Sequence, residues 1–249
     1  MKKDFLTIIL TVITIYVSQG QALTFSDWEE QSKTNKRLLP KYGQLPKTED
    51  EKIYDGKFIN EILKQEQFKG DRTAASNHMI QLGFNYMYRG DLKTAMYRFN
   101  QAYLLDSTNT DIYWGYGAIY MTFGQYELAK TQYQEGLSLN PSNTHLLTDY
   151  ATYYMAIFYE YQIMPESVLK DSKERAKNYL DSTLYYLNKS YQIDPKDQNT
   201  TYKLSTTYWN KGDCENAWRF LDECRQLGGR PITEEYLKDL KDKCKKKKR

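Results

Sequence analysis

Apolar residues recur at helical spacing along most of this 249-residue chain. Between Glu49 and Gln67, Tyr54, Phe58, Ile59, Ile62 and Leu63 share one face, which predicts an amphipathic helix. Residues 23–48 show no clean period and carry Pro40 and Pro46, so they read as an irregular linker or a strap lying on the domain. Further along, the pattern repeats. Gly83, Tyr86, Gly90, Ala95, Leu105 and Asn109 return 34 residues later as Gly117, Tyr120, Gly124, Ala129, Leu139 and Asn143. Phe99 likewise meets Tyr133, and Ser107 meets Pro141. A fixed period of 34 marks a helix–turn–helix repeat. Gly90 supplies the turn within the first repeat, and Asp91 caps the helix that starts near Leu92. The tripeptide Arg89-Gly90-Asp91 is therefore read as turn chemistry, not as an adhesion signal.

A third block keeps Leu147, Ala151 and Tyr154 in its first helix and Thr183, Leu187, Ser190, Ile193 and Pro195 in its second. Pro195 follows Pro141 by 54 residues, so about 20 residues are inserted around Ile157 to Asn178. The stretch from Glu166 to Ile193 is a good helix former, and at 1.5 Å per residue it would run roughly 42 Å. The expectation is an elongated third hairpin that projects past its neighbours. A fourth block holds Leu204, Tyr208, Gly212, Ala217 and Leu221. After Gly228, Gly229 and Pro231 comes a last short helix with one wet face, suited to close a solenoid.

These features resemble the tetratricopeptide-repeat (TPR) family. Met79, Leu82-Gly83, Tyr86, Ala95 and Phe99 follow that family's pattern in the first repeat, with Ser107 where Pro is usual. Tyr113, Gly117, Tyr120, Ala129, Tyr133 and Pro141 follow it in the second. The resemblance implies an all-α fold: a TPR-type α-solenoid of four helical hairpins at residues 76–109, 110–143, 144–197 and 198–231, with a flanking helix at 49–67 and a cap at 232–244. It further implies a concave groove lined by the first helix of each hairpin. By family position the groove residues are Asn77, Ile80, Phe84, Met87 and Tyr88; then Asp111, Trp114, Ala118, Met121 and Thr122. The third hairpin adds His145, Thr148, Thr152, Met155 and Ala156, and the fourth Asn199, Tyr202, Thr206, Trp209 and Asn210. The set is aromatic and Met-rich with few charges. The carboxylate clamp found in one subclass of the family is not expected here, because these positions lack its basic cluster. An apolar stripe of this kind suits a protein or peptide partner anchored on Trp and Tyr. Two other readings stay open. Trp114, Tyr202 and Trp209 could stack on the faces of a glycan, or the stripe could be filled by the chain's own N-terminal segment.

Composition narrows the function. The net charge is +3, and removing the five basic residues 245–249 takes it to −2, so no general nucleic-acid partner is expected. Lys2 and Lys3, the apolar run Phe5 to Val17 and the small residues up to Ala22 read as an export signal cleaved after Ala22. The apolar run is too short to span a bilayer, and no later segment does better, so an exported protein, periplasmic or secreted, is expected, with no membrane span after cleavage and a partner in the cell envelope. Export permits a disulfide. Cys214 and Cys224 lie ten residues apart on one helix, roughly 15 Å along its axis, too far to pair. An antiparallel cap helix would instead bring Cys244 opposite Cys214, and the alternative is three free thiols. Histidine occurs only at positions 78 and 145, and no HExxH, GxSxG or phosphate-loop motif is present. No catalytic activity, cofactor or metal is expected.

Overall fold

The computed structural model describes residues 23–164 and 172–244. The expected signal segment and basic tail lie outside those residues, as does part of the third-hairpin insert. Among the described residues the chain is all helical. Helix α1 is Phe25–Ser32, α2 is Glu49–Leu63, and four hairpins follow. They are α3 (Arg72–Tyr88) with α4 (Leu92–Leu105), α5 (Asp111–Thr122) with α6 (Tyr126–Leu139), α7 (Thr144–Ile163) with α8 (Ser172–Ile193), and α9 (Gln198–Lys211) with α10 (Cys214–Gln226). Helix α11, Glu234–Lys243, ends the described chain. The architecture is an α-solenoid.

Local chemistry sets the boundaries. Asp71, Asp91, Asn143, Asp197 and Asp213 each precede a helix and accept a hydrogen bond from its first-turn backbone. The turn inside three of the hairpins carries a glycine in the left-handed region, at φ 80° for Gly90, 68° for Gly124 and 81° for Gly212. Within the first two hairpins the helices approach so closely that a Cβ at Gly83 would overlap the Phe99 ring, and one at Gly117 the Tyr133 ring. The recurring Gly–aromatic pair at a spacing of 16 residues is thus a packing contact.

Consecutive first helices touch one another, α3 on α5, α5 on α7 and α7 on α9, while consecutive second helices splay apart. The array therefore curves with its first helices inside. Helices α7 and α8, of 20 and 22 residues, outrun the 12 and 14 of α5 and α6. The described part of α8 starts at Ser172, six residues later than the helix expected from Glu166, and residues 165–171 lie outside the described chain.

Residues 23–48 are more ordered than an irregular linker. Thr24 and Asp27 form a reciprocal capping box that starts α1. Beyond α1 the strap runs through a 3-10 turn, Lys36–Leu38, and a second turn at Pro40–Gln44. It lies along the outer side of the array, against α4 and α6. Asn100, fully buried in α4, donates to the carbonyls of Arg37 at 2.8 Å and Leu39 at 3.0 Å, and accepts from the Tyr116 hydroxyl at 2.7 Å. Trp28 and Leu38 are buried in the same core as Met96 and Phe99.

Candidate functional site

The inner surface is a ladder of side chains crossing from α3 to α9. Phe84 lies against Trp114 with ring centroids 4.0 Å apart, and Trp114 stacks on His145 at 4.4 Å and 16°. The indole is therefore half-buried between neighbouring rings. Its N–H donates to Asp149 at 2.6 Å. Lys203 of the next first helix donates to the other Asp149 oxygen at 3.0 Å and to the Thr152 hydroxyl at 2.5 Å. Asn210 donates to the Tyr159 hydroxyl at 2.8 Å. A second polar row joins the starts of the helices: Asn109 donates to Asn77, and Asn143 donates to Asp111, both at 2.7 Å.

His145 and Asp111 sit 3.1 Å apart. The hydrogen bond to Asp111 outweighs burial and raises the imidazole above its ordinary 6.5. Burial works to raise the Asp111 carboxyl, but hydrogen bonds from His145 and Asn143 prevail and hold it below its ordinary 3.8. The pair is an ion pair under mildly acidic conditions, on the rim and not in a closed site. Among the described residues no group of three His, Cys, Asp or Glu side chains could hold a metal.

The sequence-selected residues divide into four sets. Asn77, Met87, Tyr88, Asp111, Trp114, Met121, Thr122, His145, Thr152, Met155, Ala156, Asn199, Thr206 and Asn210 keep at least part of their surface, and Tyr88 is 77% exposed. Ile80, Phe84 and Ala118 are buried and act as the floor beneath them. Thr148 does not face the groove: it is buried between hairpins, with its hydroxyl 2.9 Å from Ser190 and 2.7 Å from Thr200. Tyr202 and Trp209 are taken up by the cap helix. Tyr236 of α11 meets them edge-on at 5.5 and 6.1 Å, and Lys243 rests over the Trp209 ring at 4.5 Å. A sugar stacking on Trp114 or Trp209 would compete with the ring contacts of Phe84 and His145 or with Lys243.

Asp149, Lys203 and Tyr159 belong to the groove but were absent from the family positions. The signal for Asp149 and Lys203 was two charges of opposite sign at matching places in successive first helices, and Tyr159 gave none. Beside Lys203 lies a pit of about 60 Å³ lined by Thr152, Met155, Leu187 and Thr206. At the far end, Cys214 and Cys244 are joined in a disulfide with Cα atoms 5.3 Å apart, and Cys224 is a buried free thiol.

A model of the tetratricopeptide repeat matches residues 110–143. Among solved structures, the chain resembles TTC0263, a TPR protein of Thermus thermophilus, with a TM-score of 0.54 at 17% identity, over 68% of this chain and 80% of that one. It also resembles human IFIT1 bound to m7Gppp-AAAA, with a TM-score of 0.52 at 14% identity, covering 86% of this chain and 48% of IFIT1. A monomeric IFIT1 mutant with Gppp-AAAA gives 0.53 at 13% identity over the same shares. This chain thus spans about half the length of IFIT1. A search of curated proteins found no match. The repeat match and the architecture together give this chain a tetratricopeptide-repeat fold, with residues 110–143 matching the family's repeat itself. At these identities the solved structures speak for the fold alone.

Proposed function

We propose that this chain is a non-catalytic binding protein that takes a peptide segment of a protein partner along its inner groove. The observation that carries the reading is the open row running from Tyr88 past Trp114 and His145 to Thr206 and Asn210, with the pit beside Lys203 in its path. The row offers aromatic edges for apolar anchors and polar groups for a peptide backbone. Its rungs are locked to one another, so little side-chain freedom is lost when a partner docks. IFIT1 binds an RNA on a related fold. Here Asp111 and Asp149 line the middle of the groove, and Lys203 is already engaged by Asp149, an arrangement unsuited to a phosphate backbone.

The partner would be a protein of the cell envelope. The export reading rests on the basic, apolar and small residues preceding Leu23, and an oxidising compartment suits the Cys214–Cys244 bridge. Sequencing the N-terminus of the mature protein should find Leu23 first.

The groove is tested with a photo-crosslinker at position 88, followed by Tyr88→Ala combined with Thr206→Arg. The expected result is one cross-linked protein partner and at least a tenfold loss of its affinity, on the order of 1.4 kcal/mol, with the melting temperature unchanged. Undiminished binding by the double variant would sink the reading. So would steeply salt-dependent binding of single-stranded RNA in place of a protein.

A further inference from the structure

A cleft of about 410 Å³ lies on the outer side of the array, between the strap, α2 and α4. That volume falls within the range of small-molecule sites. Its two walls carry opposite charge. Lys36 and Lys47 from the strap reach across to Glu51 and Asp55 of α2, at 2.7 and 2.5 Å, and these four charges cancel in pairs, while Asp50 of α2 lines the cleft from an exposed position. Arg37 also lines the cleft. Its guanidinium lies 4.2 Å over the Tyr97 ring and has no ion pair or side-chain hydrogen bond among the described residues.

Tyr42 gives the second observation. The residue is only 8% exposed and its ring lines the cleft, under the Lys47 ammonium at 4.0 Å. Its hydroxyl has no hydrogen-bond partner among the described residues. Nor is it among the buried side-chain atoms sealed from solvent without a partner, so it opens to the cleft. The phenol ring is thus nine-tenths buried while its hydroxyl, with no partner among the described residues, is left to whatever occupies the cleft. Burial, and then Asp55, push the phenol's ionisation up, with Arg37 acting the other way, so it stays an O–H donor.

The backbone under it is costly as well. Lys41, Tyr42 and Gln44 flank Gly43 with φ of 54°, 56° and 55°, a left-handed run that side chains resist. It is held from outside. The Lys41 N–H donates to the Tyr116 hydroxyl at 3.1 Å, and the Lys41 ammonium pairs with Glu135 at 2.5 Å. The outcome of this turn is to set the Tyr42 ring in the cleft wall.

We infer that the cleft binds an apolar carboxylate. The carboxylate sits between the Arg37 guanidinium and the Tyr42 hydroxyl, and the hydrocarbon or aromatic body lies against Tyr54, Phe58 and Leu104. Among the described residues Arg37 is the one lining cation outside the two ion pairs, and the exposed Asp50 adds a negative charge, so the cleft suits a monoanion held at the guanidinium and disfavours a phosphate dianion. Tyr54 is 63% exposed, so covering it adds apolar burial. The same chemistry is presented by a small free acid and by the C-terminus of a peptide ending in an apolar residue.

Titration calorimetry on the full chain tests this with 3-phenylpropionate, with the peptide Gly-Gly-Phe, and with the same peptide amidated. Saturable binding of an acid, at least tenfold tighter than the amide, is expected. Binding of 3-phenylpropionate assigns the free acid, and binding of the peptide acid alone assigns a peptide terminus. Tyr42→Phe removes only the idle hydroxyl, so it should leave the melting temperature unlowered while weakening binding several-fold. Arg37→Gln should weaken it about tenfold or more. The proposal is overturned if neither acid binds saturably at millimolar concentration, if acid and amide bind alike, or if Tyr42→Phe binds as the parent does.

Discussion

The two ends of the array meet the same problem differently. A solenoid's terminal hairpins would leave apolar faces in water, and each end here is covered by a flanking segment. Toward the N-terminal end the cover is a strap held by polar bonds along the outer side of the first two hairpins. Asn100 grips two strap carbonyls from more than 60 positions away in the chain, Tyr116 holds Lys41, and α1 adds Trp28 against Phe123 at 5.2 Å. At the C-terminal end the cover is a ten-residue helix joined by one covalent bond. Tyr236 and Leu240 bury against Ala217 and Leu221, Ser205 and Tyr236 share a hydrogen bond at 2.6 Å, and Cys214–Cys244 fastens the far end. A helix that short contributes little stability by itself, so local staples matter. The strap instead depends on a buried network in which each member is satisfied by the others.

The largest effect should come from breaking the strap network. Asn100→Leu would strand the Arg37 and Leu39 carbonyls and the Tyr116 hydroxyl, at a cost of about 3–5 kcal/mol measured by urea unfolding. A loss under about 1 kcal/mol would mean that the strap is not clamped there. Next, Cys214→Ser with Cys244→Ser removes a link spanning 30 residues and should cost about 3 kcal/mol. Hydrogen exchange should rise in α10 and α11 and stay unchanged in the strap, and a reductant should reproduce this pattern in the parent. Uniform acceleration along the chain would erase the distinction between the ends.

Between the two ends, the repeat interior is the reference. Gly117→Ala pushes a methyl into the Tyr133 ring and should cost about 1–3 kcal/mol, with no preference for either cover in hydrogen exchange. The smallest effect is electrostatic. The raised His145 contributes stability that is complete below its ordinary 6.5 and is lost as pH rises through its folded value. Asp111, held low, contributes stability that is present above its ordinary 3.8 and is lost as pH falls through its folded value. The pair therefore stabilises most between those limits. An NMR titration of the His145 ring should show a raised midpoint that returns toward the ordinary value in Asp111→Asn. An unshifted midpoint in the parent would show that the pair does not form.

Much of the scaffold was legible because its signals are local or periodic. The recurrence of Gly83 as Gly117 and of Phe99 as Tyr133 records a close helix contact that each hairpin must repeat. Gly90, Gly124 and Gly212 record the same left-handed turn. The groove was legible only in part. Trp114 and His145 lie where family spacing puts them, yet Tyr202 and Trp209, at equivalent places, sit under α11. Spacing within a repeat assigns a face, and it carries no information on which other segment lies on that face. Thr148 went astray for a related reason. Its hydroxyl completes a buried triad with Ser190 of α8 and Thr200 of α9, contacts between helices that spacing within one repeat does not report.

The sequence by itself determined the 34-residue period, the helical hairpins, their turns, the lengthening of the third hairpin and the small residues at helix crossings. Each of these follows from the bonding and steric needs of neighbours on one helix or hairpin. Only the tertiary structure decided that residues 23–48 lie on the outer side instead of filling the groove. It also decided that Asn100 is the buried clamp, that Asp149 and Lys203 join the inner ladder, and that Tyr42 is turned into the outer cleft by a left-handed run. Those outcomes depend on hydrogen bonds between residues 54 to 75 positions apart. A partner at that distance leaves no periodic trace in a single chain, because its place is set by how whole helices stack.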